Sequence, residues 1–309
     1  MSDEFHSLRG LAWRLGVPLH RLREAARDTE LFYREFRRPR PGRPDRVIDN
    51  PHPCLKKIQR RARTVFLGNQ PLDDSVHGCV EGRSPSTNAE VHCRQRNLAR
   101  IDVKNCFPSI TNRKVFRLFR QAGLGPKVAS LLTVLLTRNG HVPQGSPASD
   151  RLANLVLRPV DDRVREIAAN VGLNRRRFVD DFTLSGEATR EAIGQVIAAL
   201  RAEGFAVGHR KTGNAGATKP HIVTGYTATH HGLKVAREKQ QEIRTLVYRT
   251  ICAHRRGQRI DKLLRSVRGS LAYLRPTNPG LTRRLECQLA TAGISLRTTI
   301  GIPSDRQLA

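Results

Sequence analysis

Hydrophobic residues recur at helical spacing near both ends of the chain. At the N-terminal end, leucines separated by three or four positions predict a short amphipathic helical region over residues 1–30: Leu8, Leu11, Leu15, Leu19 and Leu22. Towards the C-terminal end, the same spacing runs from Ile260 to Leu274. We therefore expect the chain to be helical at its start and throughout the segment that follows Lys234.

The middle of the chain alternates between predicted strands and helices. Runs of β-branched and aromatic residues predict strands in residues 99–111, ended by Pro108, in residues 175–186, and in "FAVGHRKTG" and "HIVTGYTATHHGLKV". The last of these is expected to form a hairpin that turns near His231-Gly232. Apolar periodicity predicts helices over residues 127–137, from about Asp150 and over residues 187–203. Ser149 is the expected N-cap of the second helix, and Pro159 is expected to kink or break it.

Two basic segments interrupt this pattern in the first quarter of the chain. Residues 34–46, "REFRRPRPGRPDR", are rich in proline and arginine, and by composition alone they are typical of a disordered basic linker. The segment "VIDNPHPCLKKIQRRARTVFL" follows, in which Leu55, Ile58 and Ala62 predict a helix with a strongly basic outer face.

The charge of the chain indicates a polyanionic partner. Lys and Arg number 55 against 27 Asp and Glu, which gives a net charge of +28. Nucleic acid is favoured over an anionic membrane surface because the sequence has no run of about 18 apolar residues and no signal-peptide pattern. Six widely spaced cysteines without a CxxC pair are typical of reduced thiols, so we expect a cytoplasmic protein without disulfides.

Three aspartates carry the candidate chemistry. Asp102 lies between apolar residues of a predicted strand, and Asp180 and Asp181 are adjacent in "RRRFVDDFTLSG". Neighbouring buried carboxylates repel each other unless divalent cations lie among them, and Mg²⁺ is the cation that suits oxygen donors and phosphate substrates. The alternative is that Asp102 pairs with a nearby basic residue and that Asp180-Asp181 is an ordinary turn.

The order of the segments around these acids resembles that of retron-type reverse transcriptases. "RRFVDDFTLSG" resembles the [YF]xDD hairpin of reverse transcriptases, "IDVKNCFPSI" the strand with their other metal-binding aspartate, and "VPQGSPAS" the PQG segment between them. "HGCVEGRSPSTNAEVH" contains the N-A-x-x-H signature and "IVTG" the VTG triplet of retron enzymes, and "HRKT" matches the lysine-bearing segment after the hairpin. The resemblance covers roughly residues 30–250.

This resemblance implies an α+β right-hand polymerase of fingers, palm and thumb, with a mostly helical C-terminal thumb. The expected division is an N-terminal helical region in residues 1–30, fingers and palm in residues 31–230, and a basic helical thumb or RNA-binding region in residues 231–309. By resemblance, the catalytic and metal-binding acids are Asp102, Asp180 and Asp181, with the carbonyl of Val103 as a further ligand of two Mg²⁺ ions.

The resemblance also implies contacts with the incoming nucleotide. Phe107 occupies the position of an aromatic ring under the sugar, with core packing as the alternative, and Gln144 and Gly145 lie beside the nucleotide. Arg46 and Lys56 match residues that face the triphosphate, although Arg43, Lys57 and Arg60 are competing choices in the same stretch. Lys211 matches a lysine that assists the leaving pyrophosphate, and a solvated surface lysine is the alternative.

Four further residues match the retron-specific signatures. Asn88 and His92 are four positions apart and would share one helical face, where the resemblance implies an RNA-contacting or structural role. A core histidine is an equal alternative for His92. Thr224 and Gly225 belong to the VTG triplet near the expected RNA-binding region.

The function implied by the resemblance is RNA-directed DNA synthesis from dNTPs. The template and primer would be a cognate structured non-coding RNA, extended from a 2′-hydroxyl to give RNA-linked single-stranded DNA. Anti-phage defence with a separate effector protein is the expected role. The alternatives are another small bacterial reverse transcriptase, of the abortive-infection, diversity-generating or CRISPR-associated type, and a catalytically idle RNA-binding scaffold. The chain departs from the usual pattern at Phe178-Val179, where retron enzymes commonly carry Tyr-Ala, and at Asn105-Cys106.

Overall fold

The computed structural model describes residues 6–40, 42–208 and 212–296. Within these residues the chain forms thirteen α-helices: α1 Leu8–Leu15, α2 Leu19–Arg27, α3 Pro53–Ala62, α4 Pro85–Glu90, α5 Cys106–Ser109, α6 Asn112–Gln121, α7 Pro126–Leu136, α8 Ser149–Val156, α9 Arg158–Asn170, α10 Thr189–Ala202, α11 Arg237–Arg255, α12 Asp261–Leu274 and α13 Pro279–Thr291. The predicted helical start is confirmed by α1 and α2, and the predicted helical segment after Lys234 by α11 to α13. Residues 1–5 and 297–309, which these predictions also cover, lie outside the described residues.

The described strands form three antiparallel sheets. They are β1 Tyr33–Arg40, β2 Arg43–Pro51, β3 Asn97–Asp102, β4 Asn174–Phe178, β5 Asp181–Gly186, β6 Gly213–Ala215, β7 His221–Val223, β8 Tyr226–Thr229 and β9 Gly232–Lys234. The strand orders are β1-β2, β4-β5-β3-β6 and β7-β8-β9. The chain combines helices with antiparallel sheets, and the predicted α+β class is confirmed.

The central sheet has two different faces. Alternate residues of β3 and β5 on one face, such as Ile101, Phe182 and Leu184, are buried in the main hydrophobic core beneath α9 and α10. The opposite face carries Arg100 and Asp102, and the sheet therefore presents polar side chains on the side that is not covered by these two helices.

A second hydrophobic core lies mainly in the C-terminal part of the chain. It joins Val223 and Tyr226 of the β7-β8 hairpin to apolar residues of α11, α12 and α13, and it also takes in Ala89 and Leu98. Leu98 is on the same face of β3 as Asp102, four residues away. The second core thus covers one end of the polar sheet face and leaves the end with the acids to the candidate site. The division at residues 30 and 230 stays a prediction.

The prediction for residues 34–46 is wrong. Instead of a linker they form most of the β1-β2 hairpin, in which Phe36 pairs with Ile48 and Arg38 pairs with Arg46. A two-stranded ribbon satisfies its backbone groups along one edge only, and proline is tolerated where no ladder hydrogen bond is required. The composition of this segment reflects its exposure and charge, and because β1 is exposed along most of its length it shows no burial alternation that would identify a strand.

Several element boundaries also differ from the predictions. The strand predicted over residues 99–111 ends at Asp102, because the chain turns into the short helix α5 before Pro108. Ser149 is the first residue of α8 and not its N-cap, a position held by Ala148. Pro159 lies in the first turn of α9 and separates it from α8, so the predicted break is confirmed.

Candidate active site

The predicted acids lie at one end of the central sheet. β3 ends at Asp102, β5 begins at Asp181, and the two residues are direct partners in the antiparallel register. Direct partners project to the same face with Cα atoms about 4.5–5.5 Å apart. The side chains of Asp102 and Asp181 therefore leave the sheet together, beside Arg100 of the same face.

Asp180 reaches this place through the hairpin turn. Phe178 pairs with Asp181, so Val179 and Asp180 form a two-residue loop between β4 and β5. The carbonyl oxygen of Asp180 accepts a hydrogen bond from the Val103 amide at 2.9 Å. The turn explains how adjacent carboxylates avoid opposite faces of one strand, since only Asp181 belongs to the strand itself.

A glycine brings a further segment close to Asp102. The amide of Gly208 donates to the Asp102 carbonyl at 2.7 Å, and a Cβ at Gly208 would lie 2.6 Å from Asp102 Oδ2. Only a residue without a side chain allows the backbone to pass so close to this carboxylate. Asp102 is buried as a result, with 8% of its surface exposed.

The charges around the acids are unevenly paired. Arg100 Nη2 donates to Asp181 Oδ2 at 2.9 Å, whereas Asp181 Oδ1 is buried and has no hydrogen-bond partner among the described atoms. Burial raises the pKa of the Cys106 thiol to about 12, and the carboxylates of Asp180 and Asp102 add to this effect. Both acids thus act on one buried thiol, which stays protonated at neutral pH.

The donor chemistry of the site suits a hard divalent cation. Asp102 and Asp180 supply carboxylate oxygens, and the unpartnered Oδ1 of Asp181 is a third oxygen donor. The described residues do not contain a group of three His, Cys, Asp or Glu side chains already gathered as a metal site. The residues therefore fit Mg²⁺ by their chemistry, with Asp181 half engaged by Arg100. Val103 is buried at the end of β3, and its role as a carbonyl ligand stays a prediction.

The predicted nucleotide-contact loop is docked against the β1-β2 hairpin. The amide of Asp49 donates to the Gln144 carbonyl at 2.8 Å, and the Gln144 amide donates to Asp49 Oδ2 at 3.1 Å. Gly145 has φ +136°, and a Cβ there would lie 2.5 Å from the Asp49 carbonyl oxygen. Arg138 forms an ion pair with Asp49 and so fixes the same junction. The structure thus supplies a reason for glycine at position 145 that does not depend on a ligand.

The other predicted nucleotide-contact residues lie on different elements or outside the described residues. Phe107 of α5 is half-buried and packs against the main core, which leaves both alternatives for this ring open. Arg46 is exposed on β2, and Lys56 Nζ donates to Asn50 Oδ1 at 2.6 Å at the base of the same hairpin. Lys211 lies outside the described residues.

Asn88 and His92 lie in the protein interior. Asn88 is in α4, which ends at Glu90, so the predicted shared helical face is wrong and His92 lies in the turn that follows. The His92 ring is fully buried, and its Nδ1 is 2.7 Å from Ser185 Oγ on β5. Burial lowers the pKa of His92 to about 3, with Arg176, His221 and His77 adding positive charge nearby. These contacts favour the core-histidine alternative, and an RNA contact stays a prediction.

Thr224 and Gly225 form the turn between β7 and β8. Both have positive φ, 48° and 89°, as a type I′ hairpin turn requires. Thr224 Oγ1 donates to the Pro85 carbonyl at the start of α4 at 2.6 Å, and a Cβ at Gly225 would lie 2.8 Å from Tyr273 Oη of α12. The turn joins the N-A-x-x-H segment to the C-terminal helices, and its expected RNA contact is untested.

Sequence reasoning missed a buried charged network behind the hairpin. Arg177 is 1% exposed and donates to both carboxylate oxygens of Asp161, each at 2.6 Å, and to Asn154 Oδ1 at 3.0 Å. Arg175 donates to both oxygens of Asp73, at 2.6 and 3.0 Å. Alternation along β4 was the available signal, because it places Arg175 and Arg177 on one face and Arg176 on the other.

The structure has no helix, within its described residues, with the length and apolar character needed to cross a bilayer. The six cysteines are all free thiols.

Curated proteins similar to this chain are retron reverse transcriptases. The retron Mx65 reverse transcriptase of Myxococcus xanthus is 31% identical over 288 residues, which cover 86% of this chain and 65% of the relative. The retron Ec86 reverse transcriptase of Escherichia coli is 28% identical over 243 residues, which cover 78% of this chain and 74% of the relative. The chain thus spans slightly less than two thirds of the first relative. No protein-family model matches the chain.

Solved structures with a related arrangement include two nucleic-acid polymerases. A foamy viral protease–reverse transcriptase in complex with double-stranded DNA matches with a TM-score of 0.47 and 18% identity over 84% of this chain and 39% of its own. Apo telomerase from Candida tropicalis, truncated from its C-terminal domain, matches with a TM-score of 0.47 and 12% identity over 66% of this chain and 55% of its own.

Proposed function

We propose that this chain, whose sequence is similar to those of retron reverse transcriptases, is an RNA-directed DNA polymerase with its active site at Asp102 and Asp180. The observation that supports the proposal is the register of the central sheet, which makes Asp102 and Asp181 direct partners at one end of the polar face, with Asp180 in the adjoining turn. Carboxylates near one another in a chain of net charge +28 do not serve polyanion binding, so their presence supports chemistry on the polyanion.

Different residues of the chain would bind the metal, orient the nucleotide and offset the charge of its phosphates. Asp102 and Asp180 would hold Mg²⁺, with Asp181 in support, and bound Mg²⁺ supplies charge that stabilises the attacking and leaving oxygens of a phosphoryl displacement. The Gln144-Gly145 loop, held by Asp49, orients the nucleotide, and Phe107 would lie under its sugar. Arg46, Lys56 and Lys211 would offset charge on the triphosphate and pyrophosphate.

The partners follow from the same premise. We propose that the template and primer are one cognate structured non-coding RNA, that synthesis from dNTPs begins at a 2′-hydroxyl, and that the product is DNA linked to that RNA. A cytoplasmic role in defence against phage, together with a separate effector protein, completes the proposal. The division into residues 1–30, 31–230 and 231–309 would assign the basic helices α11 to α13 to the thumb, where they grip phosphate backbones.

The test is incorporation of labelled dNTPs by the purified protein with its co-purifying RNA and Mg²⁺. Asp180→Asn is expected to lower incorporation by about a thousandfold or more, since charge stabilisation by a bound metal is worth several kcal/mol. RNA affinity is expected to be retained or to rise, because one negative charge is removed near a polyanion. Asp162→Asn, which removes a half-buried acid of α9 that pairs with Arg165, is the matched control and should leave incorporation unchanged.

Two results would contradict the proposal. Absence of DNA synthesis by the wild type under these conditions would leave the protein as an RNA-binding scaffold. Equal incorporation by wild type and Asp180→Asn would remove Asp180 from the active site. Sequencing of the nucleic acid that purifies with the chain distinguishes a retron, which yields RNA-linked DNA of one length, from another small reverse transcriptase.

A further inference from the structure

The tip of the β4-β5 hairpin has an unfavourable backbone conformation. Val179 has φ +58°, a region that β-branched residues rarely adopt. Such a conformation persists only where the surrounding structure imposes it, and it occurs preferentially at functional sites. Val179 directly precedes Asp180, and the peptide group that joins them sets the direction of the Asp180 side chain.

One buried side chain bonds to that peptide group. Arg177 Nη1 donates to the Val179 carbonyl oxygen at 2.8 Å, two residues along the chain. The same guanidinium is fixed at its other edge by two hydrogen bonds of 2.6 Å to Asp161 of α9. Because a guanidinium is planar and rigid, anchoring one edge on Asp161 determines where the other edge can hold Val179.

A second set of contacts, made by Asn154 and Gly78, also restrains the tip. Asn154 of α8 accepts from Arg177 at 3.0 Å and donates to the Gly78 carbonyl at 2.8 Å. Gly78 packs directly on the tip, so that a Cβ at this position would lie 2.5 Å from Val179 Cγ2. The tip is therefore held between Gly78 and Arg177, and Asn154 links the two.

We infer that Arg177 is a positioning residue for DNA synthesis, which holds Asp180 towards Asp102 through the Val179 carbonyl and not by contact with substrate. This inference rests on the proposed function. It assigns to a buried ion pair a role in the geometry of the reaction, in addition to any contribution to folding.

The chain provides a matched control on the same strand. Arg175 lies two residues earlier on the same face of β4 and forms its own two-bond pair with Asp73. Within the described part of the chain its guanidinium bonds to Asp73 and Ser75 and not to the tip. Replacing Arg175 or Arg177 by methionine removes the same charge and breaks a similar ion pair. Only the Arg177 change removes the bond to Val179.

The experiment compares steady-state dNTP incorporation and thermal unfolding of Arg175→Met, Arg177→Met, Arg177→Lys and the double variant Asp161→Leu/Arg177→Met. Arg177→Met is expected to lower kcat by about a hundredfold, the usual effect of misplacing a reacting group by about 1 Å, with little change in KM for dNTP. Arg175→Met should keep kcat at temperatures well below its unfolding transition. Arg177→Lys keeps the charge and should recover only part of kcat, because an ammonium cannot serve Asp161 and Val179 in one plane.

The double variant separates positioning from folding. An apolar pair in place of a buried ion pair often restores stability, so the melting temperature should return towards that of the wild type. We expect kcat to stay low, since the hydrogen bond to the Val179 carbonyl is still missing. Recovery of kcat together with stability would overturn the inference and leave Arg177 a purely structural residue.

Failure of the inference and failure of the proposed function give different results. If the wild type synthesises DNA and Arg177→Met matches Arg175→Met, the positioning role is refuted while the polymerase remains. If the wild type makes no DNA, the proposed function itself fails. RNA affinity, measured for every variant, should be unchanged, because Arg177 is buried away from any polyanion.

Discussion

Replacement of His92 by asparagine tests how the buried imidazole behind the candidate active site affects the pH dependence of the free energy of unfolding. The ring is fully buried, with Nδ1 2.7 Å from Ser185 Oγ and Nε2 without a hydrogen-bond partner among the described atoms. Burial first, and then the charges of Arg176, His221 and His77, lower the pKa of His92 to about 3 from an ordinary value of 6.5. The folded protein therefore keeps the ring neutral in mildly acidic solution.

The sign of the effect on stability follows from proton binding. Between pH 6.5 and about pH 3 the unfolded chain binds a proton at His92, whereas the folded protein does not. Acid therefore favours unfolding. At pH 8 the ring is neutral in both states and contributes no pH dependence. At pH 5 the unfolded state gains about 2 kcal/mol from this proton, on the basis of 1.36 kcal/mol for each pH unit below 6.5.

Urea unfolding of wild type and His92→Asn at pH 8 and pH 5 measures this contribution. Asparagine can keep a polar atom near Ser185 but does not titrate. The wild type should therefore lose about 2 kcal/mol more than the variant between the two pH values. Comparison with the variant removes the parallel contribution of His77, whose pKa burial also lowers.

The control is His20→Asn, which removes an exposed imidazole of α2. Equal loss of stability by wild type and His92→Asn on acidification would refute the reasoning, since it would mean that His92 binds its proton without unfolding. An RNA-contacting His92 would also change RNA affinity on replacement, whereas the buried ring predicts no change beyond that caused by stability.

Two further predictions concern the fingers junction and an acidic anchor. Gly145→Ala should raise KM for dNTP and lower the melting temperature more than Gly140→Ala does. Both glycines have positive φ, but only at Gly145 would the new methyl group collide with Asp49. Enzyme kinetics and thermal unfolding measure the two effects. Equal effects of the two changes would contradict this. Burial alone would raise the pKa of Asp73. Hydrogen bonds from Arg175 and Ser75 outweigh burial and hold this pKa well below its ordinary value of 3.8. Asp73→Asn should therefore be less stable than wild type above pH 4, with the difference shrinking as pH falls below 3.8; a constant difference in acid unfolding experiments would contradict it.

Most of the regular elements could be predicted from the sequence. The apolar neighbours of Asp102 and of the Asp180-Asp181 pair predict strands, which β3 and β5 confirm, whereas the roles of these acids rest on the resemblance of their segments and stay a prediction. The helices at both ends were predictable for the same reason, since their apolar stripes pack into one core each.

The rest depended on contacts between distant parts of the chain. Arg177 is followed by two acids and resembles a phosphate-binding arginine in sequence, but its partner Asp161 lies 16 residues away on α9. Burial of such a residue depends on a carboxylate that local sequence does not reveal. The β1-β2 hairpin was not predicted for a different reason, because β1 is exposed along most of its length and its strand pairing, such as that of Phe36 with Ile48, leaves no hydrophobic alternation in the sequence.

The contact between Gly78 and the hairpin tip bears on why valine stands where the family that this sequence resembles commonly carries alanine. A Cβ at position 78 would meet both Val179 Cγ2 and the backbone nitrogen of Val179. An alanine at position 179 would relieve only the first of these collisions, so the glycine is required by the backbone of the tip and not by the valine side chain. Valine instead adds a methyl group that packs on Gly78, at the expense of a positive φ that a β-branched residue tolerates poorly. The conformation of this tip is therefore imposed from outside, by Gly78 on one side and Arg177 on the other, which is why the direction of Asp180 should depend more on those two residues than on the side chain beside it.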